Sequence, residues 1–497
     1  MIDTGNMEAL LDAAISHTMK VMGPGASPDD VAKATIALAN AQYGVSLEAP
    51  AKSLVPFLPT WAQSIPREVI GTGNKHTYKR ITKISVTGKS TAAEGTRGNA
   101  ASITADEKDV DFGILSSGLF DVTYEAERAA GTFDNALSRA TTMALLLGRR
   151  NEVAHILGGN TAAFAAVDAA VAVTVADNTS VTGTLTNVAH YVYIKPLTAM
   201  AMQKAILAGA CVLPAAATHK TFAGIAATVD QTDGYGVEST VASATPTANK
   251  GLTITWEPLA GAAGYAVFVG TTTGIANTKC QGVTGQCSVV LTALSTGGSA
   301  GVSGDNSVDA NDFKGLLALL AASGSGAYLK NLGAGLSASA GNGIPEIDTM
   351  LAQCYAQALG VDDGMLVMGS QDRAQITRKL AAGSSTSLAR YAIPVGPDNV
   401  FAGGAFADKY VHPVTSRMLP IVTDPTLYSG LILWVPKTIP YPMAEVPAPL
   451  KMWLSYDWVN FAYAVTNPKR EYENRMRGGL ACYLPPAFGM LYNVWNS

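Results

Sequence analysis

The chain has few charged residues and no excess of positive charge. Only 14% of its 497 residues are charged, against about 25% in an average soluble protein. Its 34 Lys and Arg nearly balance 38 Asp and Glu, which leaves a net charge of −4. No basic field therefore exists to attract nucleic acid or anionic lipid, and tight phosphate binding is excluded as the main function. A weakly charged surface favours contact with other subunits.

Cysteines and long apolar runs are also scarce. Five scattered cysteines, Cys211, Cys280, Cys287, Cys354 and Cys482, are too few for a disulfide framework. Cys280 and Cys287 could face each other across a hairpin, but buried or free thiols are favoured. The first residues lack the cationic segment and apolar run of a secretory signal, so we expect no export. The longest apolar stretch, 162–176, is about 15 residues long and falls short of the roughly 20 that span a bilayer.

Motifs for catalysis or metal binding are incomplete. Gly297–Gly301 fits G-x-S-x-G but lies in a low-complexity linker without the strand, turn and helix of a nucleophile elbow. Gly88–Ser90 resembles the end of a phosphate loop whose first glycine is missing. Asp305–Asp312 supplies too few oxygens for a calcium loop and favours a helix cap before Phe313. The six histidines are dispersed, with no spacing for zinc. We therefore predict no catalytic, cofactor-binding or metal-ligating residue, no cofactor and no enzyme activity.

Residues 67–128 carry the most informative pattern. Two alternating stretches, Thr77–Val86 and Val110–Tyr124, predict two long antiparallel strands. Residues 67–97 have a net charge of +5 and residues 98–128 a net charge of −5, so cross-strand pairs would support the hairpin. A two-stranded hairpin without a core is marginal in water. We therefore expect it to lie across a neighbouring subunit; the alternative is two strands of an ordinary sheet.

Charged residues of these two arms are the candidates for contacts between subunits. They are Lys79, Arg80, Lys83, Lys89, Arg97, Asp106, Glu107, Asp109, Asp111, Glu125 and Glu127.

Two helices have clear sequence patterns. Thr132 can cap a helix that runs to Gly158, at about 1.5 Å per residue close to 40 Å long. The second begins at Pro345 and ends at Gly360. Its expected buried face consists of Ile347, Met350, Leu351, Cys354 and Ala358.

Between about 171 and 303 the charges become rare and short β-runs alternate with Gly, Thr and Ser. The run 251–270 predicts two strands joined by a Pro/Gly turn, with Trp256, Tyr265 and Val267 facing one core. This segment resembles an immunoglobulin-like or fibronectin type III sandwich. Strand-like runs at Tyr191–Ile194 and Tyr235–Ser239 precede the tryptophan, so either two imperfect modules follow each other or one has an unusual strand order.

The order of these elements resembles the major capsid proteins of tailed bacteriophages with the Hong Kong 97-type fold. The residues that carry the resemblance are Asp111–Leu115 and Tyr124–Glu127 leading into the Thr132 helix, Asp312–Leu317, Pro345–Asp348, His412–Asp424 and Pro485–Gly489. It implies an α+β fold with an N-terminal arm, an extended hairpin loop, a long spine helix, peripheral and axial domains, and an inserted all-β sandwich. The corresponding boundaries are 1–66 for the N-terminal helices and arm, 67–130 for the hairpin, 131–170 for the spine helix and peripheral domain, 171–303 for the insertion, and 304–497 for the remainder.

The resemblance implies a structural function. Hexamers and pentamers of identical subunits would form an icosahedral shell around double-stranded DNA, assembled in the bacterial cytoplasm, with the hairpin over an adjacent subunit and the sandwich outside. Portal, scaffold and decoration proteins would be partners, a membrane would not, and the short N-terminus favours a separate scaffold. Covalent crosslinking of Lys to Asn occurs in some members, but no residue pair here is assigned to it.

Two other functions fit parts of the sequence. An encapsulin-like compartment has the same fold and would contain enzyme cargo, although the inserted sandwich argues against it. A secreted carbohydrate-active enzyme or adhesin could carry the Trp256 module, but it would need an export signal and a carboxylate pair on rigid strands.

Overall fold

The computed structural model describes much of the chain beyond residue 60. The described residues are 61–70, 73, 75–86, 91–125, 128, 136–159, 164, 166–167, 172–210, 220–224, 226–337, 343–358, 360–382, 409–424, 427, 429–439, 446–463 and 468–495, with the backbone alone at 80–86, 101, 103–105, 136–139, 220 and 380–382. Contacts divide the chain into two units, Met1–Pro56 and Phe57–Ser497. Every element below belongs to the second unit.

Strands predominate over helices in the described residues. The strands are β1 (Arg67–Val69), β2 (Lys75–Val86), β3 (Ala101–Asp111), β4 (Gly113–Thr123), β5 (Thr174–Thr182), β6 (His190–Leu197), β7 (Lys220–Ala223), β8 (Ala242–Ala244), β9 (Lys250–Thr255), β10 (Gly264–Gly270), β11 (Lys279–Thr284), β12 (Ser288–Ala293), β13 (Tyr328–Gly335), β14 (Gly364–Met368), β15 (Lys409–Val411), β16 (Met418–Thr423), β17 (Leu431–Pro436), β18 (Leu450–Ala462), β19 (Lys469–Cys482) and β20 (Gly489–Trp495). The helices are α1 (Ala136–Gly158), α2 (Ala199–Leu207), α3 (Leu316–Ala321), α4 (Pro345–Gln357) and α5 (Ser370–Ala382). The predicted α+β class is confirmed.

The first four strands of this unit belong to a two-stranded hairpin and to a four-stranded sheet. β2 pairs with β3, and the larger sheet has the order β1-β18-β19-β4. The sequence prediction for the second hairpin strand, Val110–Tyr124, is therefore wrong. That stretch contains the end of β3 and all of β4, and β4 pairs with β19. The chain changes sheet at Phe112, where an uninterrupted alternation of residues hid the break.

Helix α1 lies on one face of the four-stranded sheet. Its Val153, Ile156 and Leu157 share a hydrophobic cluster with Leu115 of β4 and Met476 of β19. The predicted helix is confirmed from Ala136 to Gly158, while its expected first residue, Thr132, lies outside the described residues. We call this covered face of the sheet the inner face and the opposite one the outer face.

The predicted insertion contains two four-stranded sheets. Their orders are β11-β10-β6-β8 and β5-β9-β12-β7, and side chains from both sheets form one hydrophobic cluster, as in a β-sandwich. β9 and β10 belong to different sheets, so the Pro/Gly turn at 256–263 links the two layers. Tyr191–Ile194 belongs to β6, which pairs with β10, and the strands on both sides of Trp256 therefore form a single sandwich. Its immunoglobulin-like identity stays a prediction.

A six-stranded mixed sheet forms the last layer, in the order β13-β20-β17-β14-β16-β15. Helix α4 packs against it, and all five residues of its predicted face are buried. The sandwich docks on this sheet directly: the Cys287 backbone N–H donates to Asn493 Oδ1 at 2.9 Å. Gly430 approaches Gly285 so closely that an added Cβ would lie 3.0 Å from the Gly285 carbonyl oxygen.

The predicted helix cap at Asp312 is wrong. Helix α3 begins at Leu316 with Gly315 as its N-cap. Asp312 contacts His155 instead, with 2.8 Å between its Oδ2 and the histidine Nδ1, and accepts the Phe313 backbone N–H at 2.8 Å. A partner 157 positions away in the sequence determines the role of this carboxylate, and no local pattern contains that information.

Candidate assembly surface

The β2–β3 hairpin aligns its basic strand with its acidic strand. In the antiparallel register Lys79 lies opposite Glu107 and Arg80 opposite Asp106, while Lys75 lies opposite Asp111. Residues directly opposite in a sheet place their Cβ atoms about 5 Å apart, within the range of charge pairing. The opposite net charges of the two arms therefore meet within one chain.

Several ion pairs follow from this register. Lys75 Nζ lies 2.5 Å from Asp109 Oδ2, and Lys79 Nζ lies 3.5 Å from Glu107 Oε2. Asp109 also accepts a hydrogen bond from the Thr77 hydroxyl at 2.7 Å. The hydrogen bond between Lys75 and Asp109 raises the pKa of the lysine and lowers the pKa of the aspartate. Water screens such exposed pairs, so they contribute more to the register than to stability.

Aromatic contacts hold the base of the hairpin on the outer face of the four-stranded sheet. The His76 ring lies 4.2 Å from the Trp453 ring, and the Tyr78 ring lies 4.6 Å from that of Tyr483. The Tyr78 hydroxyl also donates to the Cys482 carbonyl oxygen at 3.0 Å. Partial burial, together with the nearby Lys451 ammonium, lowers the pKa of His76. Folding thus fixes where the arm leaves the body.

Beyond this base, most of the described side chains of the arm are exposed. Val110 is the one buried residue among the hairpin side chains that the structure describes, and 91–100 are all exposed. At Gly113, where β4 begins after the arm, the backbone lies close to another segment: an added Cβ would lie 2.7 Å from the backbone at Asp312 and Phe313. The described part of the arm therefore has no hydrophobic core.

A cavity of about 460 Å³ opens beside the hairpin base. Tyr78 and Val110 line it on the hairpin side, and Phe164, Leu319 and Lys314 line it elsewhere. The cavity therefore lies between the hairpin base, the region of α3 and the end of β19, whose Leu480 and Cys482 also line it.

The predicted contact residues have different positions in the structure. Glu107, Asp109, Asp111 and Arg97 are exposed on the arm, as is Lys79, while Asp106 is half-buried and pairs with Lys108 at 3.2 Å. Glu125 is exposed beyond the end of β4. For Arg80 and Lys83 only the backbone is described, with Lys83 opposite Thr104. Lys89 and Glu127 lie outside the described residues.

Sequence reasoning missed the residues that anchor the arm. Lys75 and Lys108 form ion pairs, Thr77 donates a hydrogen bond to Asp109, and His76 and Tyr78 make the aromatic contacts. Alternation of His76 and Tyr78 with polar neighbours indicates that one side of β2 contacts something apolar. The partners, Trp453 and Tyr483, are 377 and 405 positions away, and nothing local identifies them.

The three predicted core residues of the insertion are buried together. Trp256, Tyr265 and Val267 belong to one hydrophobic cluster, and the Trp256 and Tyr265 rings meet edge to face with their centroids 5.6 Å apart. Cys280 and Cys287 are buried and are not joined by a disulfide, as predicted. Burial raises the pKa of the Cys287 thiol, so this sulfur is poorly reactive.

Motifs considered for chemistry have structural roles. The Ser299 hydroxyl accepts the Val229 backbone N–H at 3.0 Å, and no helix follows it until Leu316 among the described residues. Asp305 accepts hydrogen bonds from Ser307, and Asp309 accepts one from the Asn311 backbone. The described ranges contain no group of three or more His, Cys, Asp or Glu placed to hold a metal ion.

Within the described part of the chain, no helix combines the length and the apolar character that crossing a membrane requires.

Comparison with known proteins gave similarities at the level of structure alone. No family model matches the sequence, and no curated protein matches it. The chain is similar to the capsid of Myoviridae phage XM1, with 9% identity, 91% of this chain and 100% of that chain covered, and a TM-score of 0.37. It is similar to the capsid of an empty GTA particle, with 11% identity, 92% and 97% covered, and a TM-score of 0.36. It is also similar to the capsid of cyanophage P-SCSP1u, with 9% identity, 91% and 94% covered, and a TM-score of 0.37.

Proposed function

We propose that this chain is a structural shell protein, the major capsid protein of a tailed bacteriophage with the Hong Kong 97-type fold. Copies would assemble as hexamers and pentamers into an icosahedral head around double-stranded DNA. One observation carries the proposal: the β2–β3 arm has a fixed base and a charge-paired register, yet it encloses no core in its described part.

The physical argument concerns the stability of such an arm. A two-stranded hairpin that buries no apolar face is marginal in water, because few contacts offset the backbone entropy lost on ordering. Exposed ion pairs add little. A surface from another molecule would supply the missing burial, and in a shell of identical copies every arm has such a surface. Many weak contacts of this kind add up through multivalency.

The composition agrees with a DNA container. A net charge of −4 over 497 residues gives no strong attraction to phosphates, so packaged DNA would be enclosed without being held tightly. Portal, scaffold and decoration proteins are proposed partners, and the bacterial cytoplasm is the proposed place of assembly.

Expression of the full chain, alone and with a co-expressed scaffold candidate, tests this function. Negative-stain microscopy and sedimentation velocity should show shells, tubes or capsomers. A variant in which a short Gly-Ser turn replaces residues 80–106 serves as the control. It should keep its circular dichroism spectrum and lose assembly. Wild-type chain that stays monomeric under every condition would contradict the proposal, and particles filled with an enzyme would favour the encapsulin alternative.

A further inference from the structure

The cavity beside the hairpin base has walls from several parts of the fold. Tyr78 and Val110 come from the hairpin, Leu319 from helix α3, and Ala260 from the turn that links the two layers of the sandwich. The end of β19 adds Leu480. The volume of about 460 Å³ lies within the range of small-molecule sites, about 300–1,000 Å³. A molecule held there would contact the arm, the sandwich and the four-stranded sheet at the same time.

Apolar residues form much of the cavity wall. Val110, Leu319, Leu480 and Phe164 all line it; the first and third are buried, and the other two are half-buried. The Tyr78 hydroxyl, a polar group on the hairpin side, already donates to a backbone carbonyl oxygen of β19. Removal of apolar surface from water is favourable, so this wall selects a ligand with an apolar body.

Three charged residues, Lys108, Asp109 and Lys314, also line the cavity. Two of them have ion-pair partners within the hairpin, since Asp109 lies 2.5 Å from Lys75 and Lys108 lies 3.2 Å from Asp106. Lys314 is exposed and has no carboxylate partner among the described residues. The cavity therefore presents one ammonium group that no ion pair within the described chain neutralises.

The influence of Lys314 on the nearby Asp109 is small. Hydrogen bonds from Lys75 and Thr77 lead the contributions that lower the pKa of Asp109, and the charge of Lys314 comes last among them. Asp109 is thus already satisfied, and the Lys314 ammonium remains available to a ligand. A charge-assisted hydrogen bond is stronger at the edge of an apolar wall than in open water.

We propose that the cavity is a binding site for a small amphipathic carboxylic acid. The apolar body of this ligand would lie against Val110, Leu319 and Phe164, and its carboxylate would accept a hydrogen bond from the Lys314 ammonium. A single cation without a partner fits one negative charge, and a cationic ligand would be repelled. The inference goes beyond the proposed function and does not depend on it, because one copy of the chain supplies every lining residue named here.

Isothermal titration calorimetry of the full chain, before assembly, tests the proposal with dodecanoate as the probe. Dodecanoate, kept below its micelle concentration, should bind at one site per chain and raise the melting temperature, because the unfolded chain has no cavity. Dodecan-1-ol has the same chain length without the charge and should bind about 10-fold more weakly. Dodecyltrimethylammonium, which carries a positive charge, should bind more weakly still.

Two variants with matched controls assign the two parts of the ligand. Lys314→Gln should lower the affinity for dodecanoate to that for dodecan-1-ol, while Lys409→Gln, at an exposed lysine of β15, should leave it unchanged. Ala318→Met places a larger side chain in the cavity wall and should abolish the binding of both probes. Ala356→Met, at an exposed position of α4, should bind both as the wild type does.

Hydrogen exchange locates the bound probe. Dodecanoate should slow exchange at residues 108–110 and 318–325, which flank the cavity, and leave helix α4 unchanged. Equal affinity of wild type and Lys314→Gln for dodecanoate would overturn the role of Lys314. Absence of saturable binding, or slowing confined to other segments, would overturn the site itself. Should Ala318→Met fail to fold, the Lys314→Gln affinity and the exchange pattern still decide between these outcomes.

Discussion

The Trp458 indole N–H donates a hydrogen bond to Glu152 Oε2 at 2.9 Å, which ties strand β18 to helix α1. Glu152 is almost fully buried and also pairs with Arg67 and Arg149. The same indole ring lies against Gly148, one turn earlier on the helix. Trp458 thus contributes both an apolar contact, through its ring, and a hydrogen bond, through its indole N–H, to the packing of helix α1 on the sheet.

Substitution of Gly148 by Ala should destabilise the chain. In an exposed helix the change would stabilise by about 1 kcal/mol. Here the added Cβ would lie 2.7 Å from the Trp458 ring, and overpacking of this kind costs about 1–3 kcal/mol. Urea unfolding measures the difference, and Thr142→Ala at an exposed position of the same helix is the control. An increase in stability would contradict the packing described above.

Substitution of Glu152 by Gln should cost about 1–3 kcal/mol, because Arg67 and Arg149 lose the buried carboxylate and keep only the more exposed Asp457 as a partner. Asp457→Asn is the matched control. Asp457 pairs with the same two arginines but is 40% exposed, so its loss should cost less than about 1 kcal/mol. Equal losses in the two variants would show that burial of Glu152 does not determine the effect.

Asp372 should make stability depend on pH. Burial raises the pKa of this carboxyl from 3.8 to about 7, although Ser429 and Gly430 donate hydrogen bonds to it. The folded state therefore holds the proton more tightly than the unfolded state. Stability from this group is complete below pH 4 and declines as the pH rises towards 7.

Melting temperatures between pH 4 and 8 check this dependence. Asp372→Asn should flatten the decline, since the amide carries no titrating proton. Asp121→Asn, at an exposed carboxylate paired with Lys469, should leave the decline unchanged. A decline between pH 4 and 7 that is as large in Asp372→Asn as in the wild type would exclude Asp372 as its source.

Reversal of charge on the arm should affect assembly more than folding. Glu at Lys79, Arg80 and Lys83 together would place negative charge opposite Glu107 and Asp106, but exposed pairs contribute little to the stability of the body. Particle yield by sedimentation should fall while the melting temperature changes little. The double variant Lys79→Glu with Glu107→Lys keeps this ion pair with its two charges exchanged. It should assemble normally. A loss of monomer stability with unchanged particle yield would contradict the proposed role of the arm.

Local sequence patterns predicted the secondary-structure elements that depend on neighbouring residues, such as a helix that begins at a proline and has regularly spaced apolar residues. Pro345 begins α4, and its apolar spacing gives the buried face from Ile347 to Ala358. These predictions depend on helix geometry, strand alternation and capping, which act over a few residues.

Long-range contacts determine what local signals could not predict. Both β3 and β4 show strand alternation, so the break between them at Phe112 depends on Gly113, whose backbone lies against the distant Asp312. Trp453 as the ring partner of His76, and His155 as the partner of Asp312, are equally remote. The charge pattern predicted that a basic strand pairs with an acidic strand. The register of this pairing, and the contacts of His76 and Tyr78 that hold the hairpin base, depend on the folded structure.

The close approach of Gly285 to Gly430 and the hydrogen bond from Cys287 to Asn493 attach the sandwich directly to the six-stranded sheet. We therefore expect its loops to keep a constant direction relative to the six-stranded sheet, and a peptide grafted at the exposed turn 271–273 to be displayed in one orientation.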